Sequence, residues 1–210
     1  LVLAADLFHF RRQHGLDVAV EGRFSGQLAD GGERLQMVSP EGVSLLDLTY
    51  ATGAPWPEGT RGGGYSLVLA RPELGISNPA AWRPSVQTHG TPGGSDAARF
   101  AGAPLADADG DGLAALTEHA LGSRDSDAAS GPDHLEARLT SLGEFQWILT
   151  RRLSADDVQV HVDASEDLGT WVPAWLLSRE RVAADQLREV WSVPGLGASR
   201  AFLRLRVVRP

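Results

Sequence analysis

Short runs in which apolar and polar residues alternate, separated by glycine-rich turns, occupy most of the chain. Alternation of this kind is typical of half-buried β-strands. In the first part it predicts strands at Asp17–Glu21, Glu33–Ser39, Val43–Tyr50 and Tyr65–Arg71. One stretch has helical spacing instead, and we expect a short helix there, with Asp6 as its N-cap, Gln13 at its end and Gly15 as the stop.

The alternating pattern returns beyond residue 134. Its apolar positions fall in three runs, namely Phe145, Trp147 and Leu149, then Val158, Val160 and Val162, then Leu203, Leu205 and Val207. Arg204 and Arg206 lie on the opposite face of the last run, as a half-exposed strand requires. Many short strands at this spacing favour antiparallel sandwiches. The pattern therefore predicts a mainly β chain with two small, immunoglobulin-like β-sandwich modules, joined by a linker that contains one short helix.

The linker differs from both modules in composition and charge. We place the first module at 1–95, the linker at 96–133 and the second module at 134–210. The linker begins rich in glycine and proline, and its part from 107 to 133 has seven acidic residues and one arginine. Because the whole chain has a formal net charge of −8, most of its excess negative charge lies in this segment. A cation is the natural partner of such a segment, whereas nucleic acid would need a basic surface.

Residues 107–118 match the twelve-position calcium loop. Calcium prefers about six to eight oxygen ligands. The loop offers them from Asp107, Asp109, Asp111, the carbonyl of Leu113 and Glu118. Gly112 at the sixth position permits the sharp turn, and Ala115 at the ninth position has no side-chain oxygen, so a water would fill that place. The sequence therefore predicts one bound Ca²⁺.

A short helix is predicted directly after the loop. Its apolar face would consist of Leu113, Leu116, Ala120 and Leu121. The helix would end before Gly122, anchor Glu118 and pack on a neighbouring domain, and His119 would face solvent. Asp125 and Asp127 follow the helix. The sequence leaves open whether either adds a calcium ligand, and we favour turn residues for both.

Missing residue types exclude several classes of enzyme. The chain has no cysteine, which excludes disulfides, thiolate nucleophiles and cysteine-bound zinc. All 19 residues of the Lys and Arg class are arginine, so a P-loop lysine and Schiff-base chemistry are excluded as well. The six histidines show no ligand spacing to one another. No apolar run approaches the roughly 18 residues of a transmembrane helix. We therefore expect neither enzymatic activity nor membrane insertion.

The six tryptophans are the remaining candidates for ligand binding, because exposed aromatic rings bind sugars. Four of them stand in patterns that predict core positions, namely Trp56, Trp82, Trp147 and Trp171. Trp175 and Trp191 are freer, although core packing is favoured for them too. A carbohydrate-binding module that uses Trp175 or Trp191 is therefore an alternative to a purely structural role.

Several segments of the first module share residues with one known domain family. They are 1–6, 24–26, 31–35, Tyr50 with Trp56 and Pro57, 64–67 and 78–83. Together they resemble the C-terminal part of the lamin-tail domain, an immunoglobulin-like sandwich of large secreted bacterial proteins. The opening strands of that family are missing, so the resemblance implies a sandwich that is incomplete at its N-terminus or that partners complete.

Two further segments, 107–122 and 150–205, resemble other parts of such proteins. The first resembles thrombospondin-type-3-like and dockerin-like calcium segments. The second is similar to a β module near the C-termini of giant surface proteins of Verrucomicrobia and Planctomycetes. These resemblances imply a non-catalytic structural or binding region of a large extracellular or cell-surface bacterial protein, with a role in spacing, adhesion or display.

The resemblances also imply the partners. These would be neighbouring domains of the parent protein, with surface glycans or proteins as further candidates. One alternative is an accessory region of a secreted enzyme, such as a hydrolase or a spore-coat-like kinase, whose catalytic domain lies outside this chain.

Overall fold

The computed structural model describes residues 1–131, 134–141, 143–192 and 202–210. Within these residues the protein is mainly β, with thirteen strands and two α-helices, which confirms the predicted class. The immunoglobulin-like sandwich and the three-part domain division stay predictions. The chain separates into two compact units, Leu1–Ala97 and Ala98–Pro210. In the described part of the chain, no helix has the length and apolar character needed to cross a membrane.

The first unit is built from short elements. Its strands and α-helix are β1 (Leu3–Ala4), α1 (Leu7–His14), β2 (Gly22–Arg23), β3 (Arg34–Val38), β4 (Ser44–Thr49), β5 (Tyr65–Leu69) and β6 (Trp82–Thr88). Two 3₁₀ turns lie at Pro72–Leu74 and Pro79–Ala81. The strands form three two-stranded sheets, of which β1–β2 is parallel and β3–β4 and β5–β6 are antiparallel.

The predicted helix and three of the four strands predicted for this unit are confirmed. The Asp6 carboxylate accepts a hydrogen bond from the His9 backbone N at 3.0 Å, and Gly15 follows the last helical residue. The prediction of a strand at Asp17–Glu21 is wrong, since the strand in that region is β2, at Gly22–Arg23. The alternation there has no matching partner, because β1 is only two residues long and pairs with Gly22–Arg23.

The second unit contains the loop region and two antiparallel sheets. Its elements are α2 (Ala115–Leu121), β7 (Leu135–Leu139), β8 (Phe145–Arg152), β9 (Gln159–Ser165), β10 (Val172–Pro173), β11 (Trp175–Ala183), β12 (Gln186–Ser192) and β13 (Phe202–Val208). One sheet has the order β11-β12-β8-β7 and the other has the order β10-β9-β13. The three alternating runs of the sequence correspond to β8, β9 and β13.

The helix after the acidic loop is part of the core of the second unit. Buried Leu121 of α2 clusters with Leu149, Val162 and Ala174 from the two sheets and the connection before β11. Half-buried residues pack against this cluster, among them Leu113, Leu135, Trp147, Val160, Trp191 and Leu205. The loop and its helix therefore belong to the packing of this unit, and the helix is anchored where the loop ends.

Replacing Leu121 tests this core position. Leu121→Ala is expected to lower the free energy of unfolding of the second unit by about 2–5 kcal/mol, because a fully buried leucine leaves a cavity. Leu139→Ala, at a position that is 68% exposed on β7, is the control and should change it by about 0.5 kcal/mol or less. Urea denaturation followed by tryptophan fluorescence measures both. Equally small effects would contradict the packing described here.

Candidate metal centre

Three of the predicted ligands come together in the loop. The carboxylate oxygens of Asp107, Asp109 and Asp111 lie within 4.8 Å of one another. The Asp107 carboxylate also accepts backbone hydrogen bonds, from Gly110 N to Oδ1 at 2.8 Å and from Gly112 N to Oδ2 at 3.1 Å. The loop therefore curls around its own acidic side chains, as the twelve-position pattern predicts.

Two glycines make this tight path possible. Gly110 and Gly112 have φ values of 75° and 90°, in the left-handed region that other residues rarely adopt. Asp111 lies between the two glycines, and its backbone N donates to Asp109 Oδ1 at 3.2 Å. Leu113 follows Gly112, and its backbone N donates to Asp111 Oδ1 at 2.7 Å. Each aspartate is therefore held by a backbone amide two or more residues further along the loop.

The direction of α2 is set by backbone contacts at both of its ends. Ala114 at the N-cap offers no side-chain acceptor, and Ala115 N instead donates to the carbonyl of Ala106 at 2.7 Å, before the loop. At the other end Gly122 adopts the left-handed conformation, with its N donating to the carbonyl of Glu118 at 2.7 Å. The predicted end of the helix is thus confirmed.

Glu118, the predicted closing ligand, is a buried carboxylate without a hydrogen-bond partner. It is 1% exposed, and within the described residues neither of its oxygens has a partner, nor do Asp109 Oδ2 and the Ser123 hydroxyl. Burial raises the pKa of Glu118, the Ser123 hydroxyl acts to lower it, and the charges of Asp109 and Asp111 raise it further. A buried charge of this kind costs several kcal/mol unless it is compensated. A cation held between these oxygens would compensate it.

The two remaining predictions for the site have different outcomes. Glu118 is outside the group of oxygens that lie within 4.8 Å of one another, so its joint ligation with the aspartates stays a prediction. The prediction that Leu113 lies on the apolar face of the helix is wrong, since α2 begins at Ala115, although the Leu113 side chain does pack against the core. Its role through the backbone carbonyl also stays a prediction.

The two aspartates after the helix have different surroundings. Asp127 forms an ion pair with Arg124 at 2.6 Å and accepts a hydrogen bond from Ala129 N, as expected of a turn residue. Asp125 instead accepts a hydrogen bond from Ala108 N at 3.1 Å and so contacts the loop. Sequence reasoning missed this contact, because it joins residues 17 positions apart.

The prediction that His119 faces solvent is wrong. Its side chain is 9% exposed, its Nε2 lies 3.0 Å from Asp157 Oδ1, and its ring packs edge-on against Phe100. Asp157 also accepts a hydrogen bond from Phe100 N at 2.7 Å. Burial alone would raise the pKa of Asp157. The hydrogen bonds with Phe100 N and His119 nevertheless keep this pKa below its ordinary value. The pair holds α2 against residues that precede and follow it in the chain.

The exposure of the tryptophan side chains bears on the alternative that the chain is a carbohydrate-binding module. Trp191 is half-buried and packs against the core of the second unit. Of the six, all of which lie in described parts of the chain, Trp175 is the one with an exposed side chain, at 63%. Trp171 is covered by the guanidinium of Arg204, 4.2 Å from the ring centre.

Comparisons with protein-family models, with curated proteins and with solved structures found no match to this chain. The lamin-tail, thrombospondin-type-3 and dockerin resemblances therefore stay predictions from the sequence. The candidate site rests on its own geometry, which is a cluster of three aspartates in the loop and, on the helix that follows, a buried glutamate without a hydrogen-bond partner in the described residues.

Replacing Glu118 in the metal-free protein tests whether the burial of its charge destabilises the fold. Its folded-state pKa is raised, so the metal-free protein should lose stability as pH rises above the ordinary glutamate value of 4.5. Glu118→Gln removes that charge and should raise the melting temperature in chelator at about pH 7, with little effect near about pH 4. Glu136→Gln, at an exposed position of β7, is the control. A melting temperature that falls equally at both pH values would argue against the burial of this charge.

Proposed function

We propose that this chain is a non-catalytic structural and binding region of a large extracellular or cell-surface bacterial protein, and that its second unit binds one Ca²⁺. The ligands would be the carboxylates of Asp107, Asp109, Asp111 and Glu118 with the carbonyl of Leu113. The observation that carries the proposal is the buried, unpartnered carboxylate of Glu118 on the helix that follows a loop with three clustered aspartates.

Calcium fits this set of donors better than other common metals. All the side-chain donors are carboxylates, which are hard oxygen ligands, and neither cysteine nor histidine takes part, so zinc and copper are disfavoured. Magnesium is smaller, requires nearly ideal octahedral geometry and usually keeps several waters. A loop that surrounds the ion with carboxylates and one carbonyl is the arrangement that calcium prefers.

Calcium binding is coupled to the packing of the second unit in this proposal. Glu118 and Leu121 lie three residues apart on α2, so they project from neighbouring positions of the same helix. Leu121 is fully buried in the core, while Glu118 would hold the ion. Calcium would therefore stabilise the unit itself, in addition to rigidifying the linker between two sandwich modules.

An extracellular location fits the expected affinity. The described residues contain one such acidic cluster, and calcium sites of extracellular modules have dissociation constants of about 10⁻⁴–10⁻³ M. Neighbouring domains of the parent protein are the proposed partners. The unit would serve as a spacer whose shape is maintained by ambient calcium.

A carbohydrate-binding role is a second candidate, and one observation favours it. Trp175 is 63% exposed on β11, which is an edge strand of its sheet, and the adjacent Leu176 and Leu177 are 39% and 52% exposed. A glycan array would test this directly, with Trp175→Ala as the variant that should lose any binding. An accessory role beside a catalytic domain outside this chain is compatible with either candidate.

Calcium titration tests the main proposal. Isothermal titration of the full chain is expected to show one site, with a dissociation constant of about 10⁻⁴–10⁻³ M. Asp109→Asn should weaken binding strongly, because it removes a central ligand charge. Asp17→Asn, an exposed position in the first unit, makes the same charge change and should leave the titration unaltered. Absence of heat with the unmodified chain, or equal effects of the two variants, would refute the site.

Hydrogen exchange should localise the effect of calcium. At ten times the dissociation constant a ligand stabilises the folded state by about 1.4 kcal/mol. Because α2 packs in the core of the second unit, amides of α2, β8 and β9 should exchange more slowly with calcium than with chelator. Amides of β3 to β6 in the first unit serve as the internal control and should not change. Identical exchange of α2 in the two conditions would contradict the coupling.

A further inference from the structure

The Asp125 carboxylate lies against the first turn of the acidic loop. Its Oδ1 accepts the hydrogen bond from Ala108 N at 3.1 Å. Ala108 stands between two of the proposed ligands, Asp107 and Asp109. The contact therefore brings a fifth carboxylate to the edge of a loop that already contains four.

The segment from 123 to 131 returns onto the loop at a second point. Gly131 is buried, and a Cβ atom at that position would lie 2.7 Å from Asp111 Oδ2 and 2.5 Å from Leu113 Cδ1. A larger residue at this position would displace the ends of the Asp111 and Leu113 side chains. The segment thus contacts the loop through Asp125 near its start and through Gly131 at its end.

A tight turn fixes the middle of this segment. Asp127 N donates to the carbonyl of Arg124 at 3.1 Å, Arg124 N donates to the Ser130 hydroxyl at 3.1 Å, and the Arg124 guanidinium pairs with Asp127. Asp127 is therefore occupied within the turn. It lies two positions from Asp125 in the sequence, so a variant of Asp127 is a matched control for the same variant of Asp125.

The buried glutamate of α2 is a second, independent observation that points to a cation. Glu118 is 1% exposed. With both Glu118 oxygens buried and unpartnered, a cation is the group that would bring this carboxylate and those of the loop together favourably.

We propose that Asp125 is a further ligand of the cation and that it makes the site selective for Ca²⁺ over Mg²⁺, an inference that rests on the proposed calcium site. Together with three aspartates, the Leu113 carbonyl and both oxygens of Glu118, it brings the count to about seven oxygens, within the range for calcium. An additional carboxylate from a separate segment favours a larger ion, because magnesium accepts six ligands and retains waters.

The test compares Asp125→Asn with Asp127→Asn in the full chain. Asparagine keeps an oxygen that can accept the hydrogen bond from Ala108, so the fold of the loop is preserved while the charge is lost. Asp125→Asn should weaken Ca²⁺ binding by about tenfold or more, with a smaller loss for Mg²⁺, and Asp127→Asn should change Ca²⁺ binding by less than about twofold. Isothermal titration with each metal salt measures these ratios.

Terbium luminescence separates a ligand from a residue that only supports the loop. Lifetimes of bound Tb³⁺ in H₂O and D₂O report the number of waters on the ion. Asp125→Ala should add about one water, because an open ligand position on such an ion is filled by water, whereas Asp127→Ala should add none. An unchanged water count in Asp125→Ala would overturn the role of Asp125 as a ligand, and a nearly unmodified Ca²⁺ affinity in Asp125→Asn would also overturn it. The calcium site itself would still stand if Asp109→Asn abolished binding, and both proposals would fail if the unmodified chain bound no calcium.

Discussion

The Glu118 carboxylate is 1% exposed and has no hydrogen-bond partner within the described residues, although an uncompensated buried charge costs several kcal/mol. The helix that carries it cannot easily turn it outwards, because Leu121 of the same helix is fixed in the core. Packing and electrostatics therefore oppose each other in the metal-free unit. A cation bound beside Asp107, Asp109 and Asp111 would remove the conflict, and the proposed function follows from it.

The contacts around α2 show how the rest of the unit holds Glu118 in place. His119 pairs with Asp157, and Asp157 in turn accepts a hydrogen bond from Phe100 N. The helix is therefore in contact with segments before and after it. Asp125 reaches back to the opening of the loop from beyond the helix. These contacts fix the helix on several sides, so the position of its acidic side chain depends on the fold of the whole unit.

Local patterns allowed a good part of this structure to be predicted. The spacing of aspartates with Gly112 predicted a tight loop, and Gly122 marked the end of α2. Alternation of apolar positions located the starts of β8, β9 and β13 within one residue. The strand β6 went unpredicted, since Pro84 lies within it and proline argues against a paired strand, although here it stands in a two-stranded sheet with β5.

Features that depend on distant parts of the chain could not be predicted. His119 lies 38 residues from Asp157 in sequence, so its burial has no local signal. The sequence favours core packing for Trp175 and Trp191 alike, yet Trp191 packs against the core whereas Trp175 is 63% exposed. The different surroundings of Asp125 and Asp127 arise from the way the segment after α2 folds back, whereas in the sequence the two residues look alike.

A crystal structure of the chain grown with calcium would test the central claim most directly, because the ion scatters anomalously and can be located without bias. We expect a single anomalous peak at about 2.3–2.6 Å from both Glu118 oxygens and from the three loop aspartates. A Glu118 carboxylate that remained buried and was instead hydrogen-bonded to protein donors, with no ion in the loop, would contradict the account.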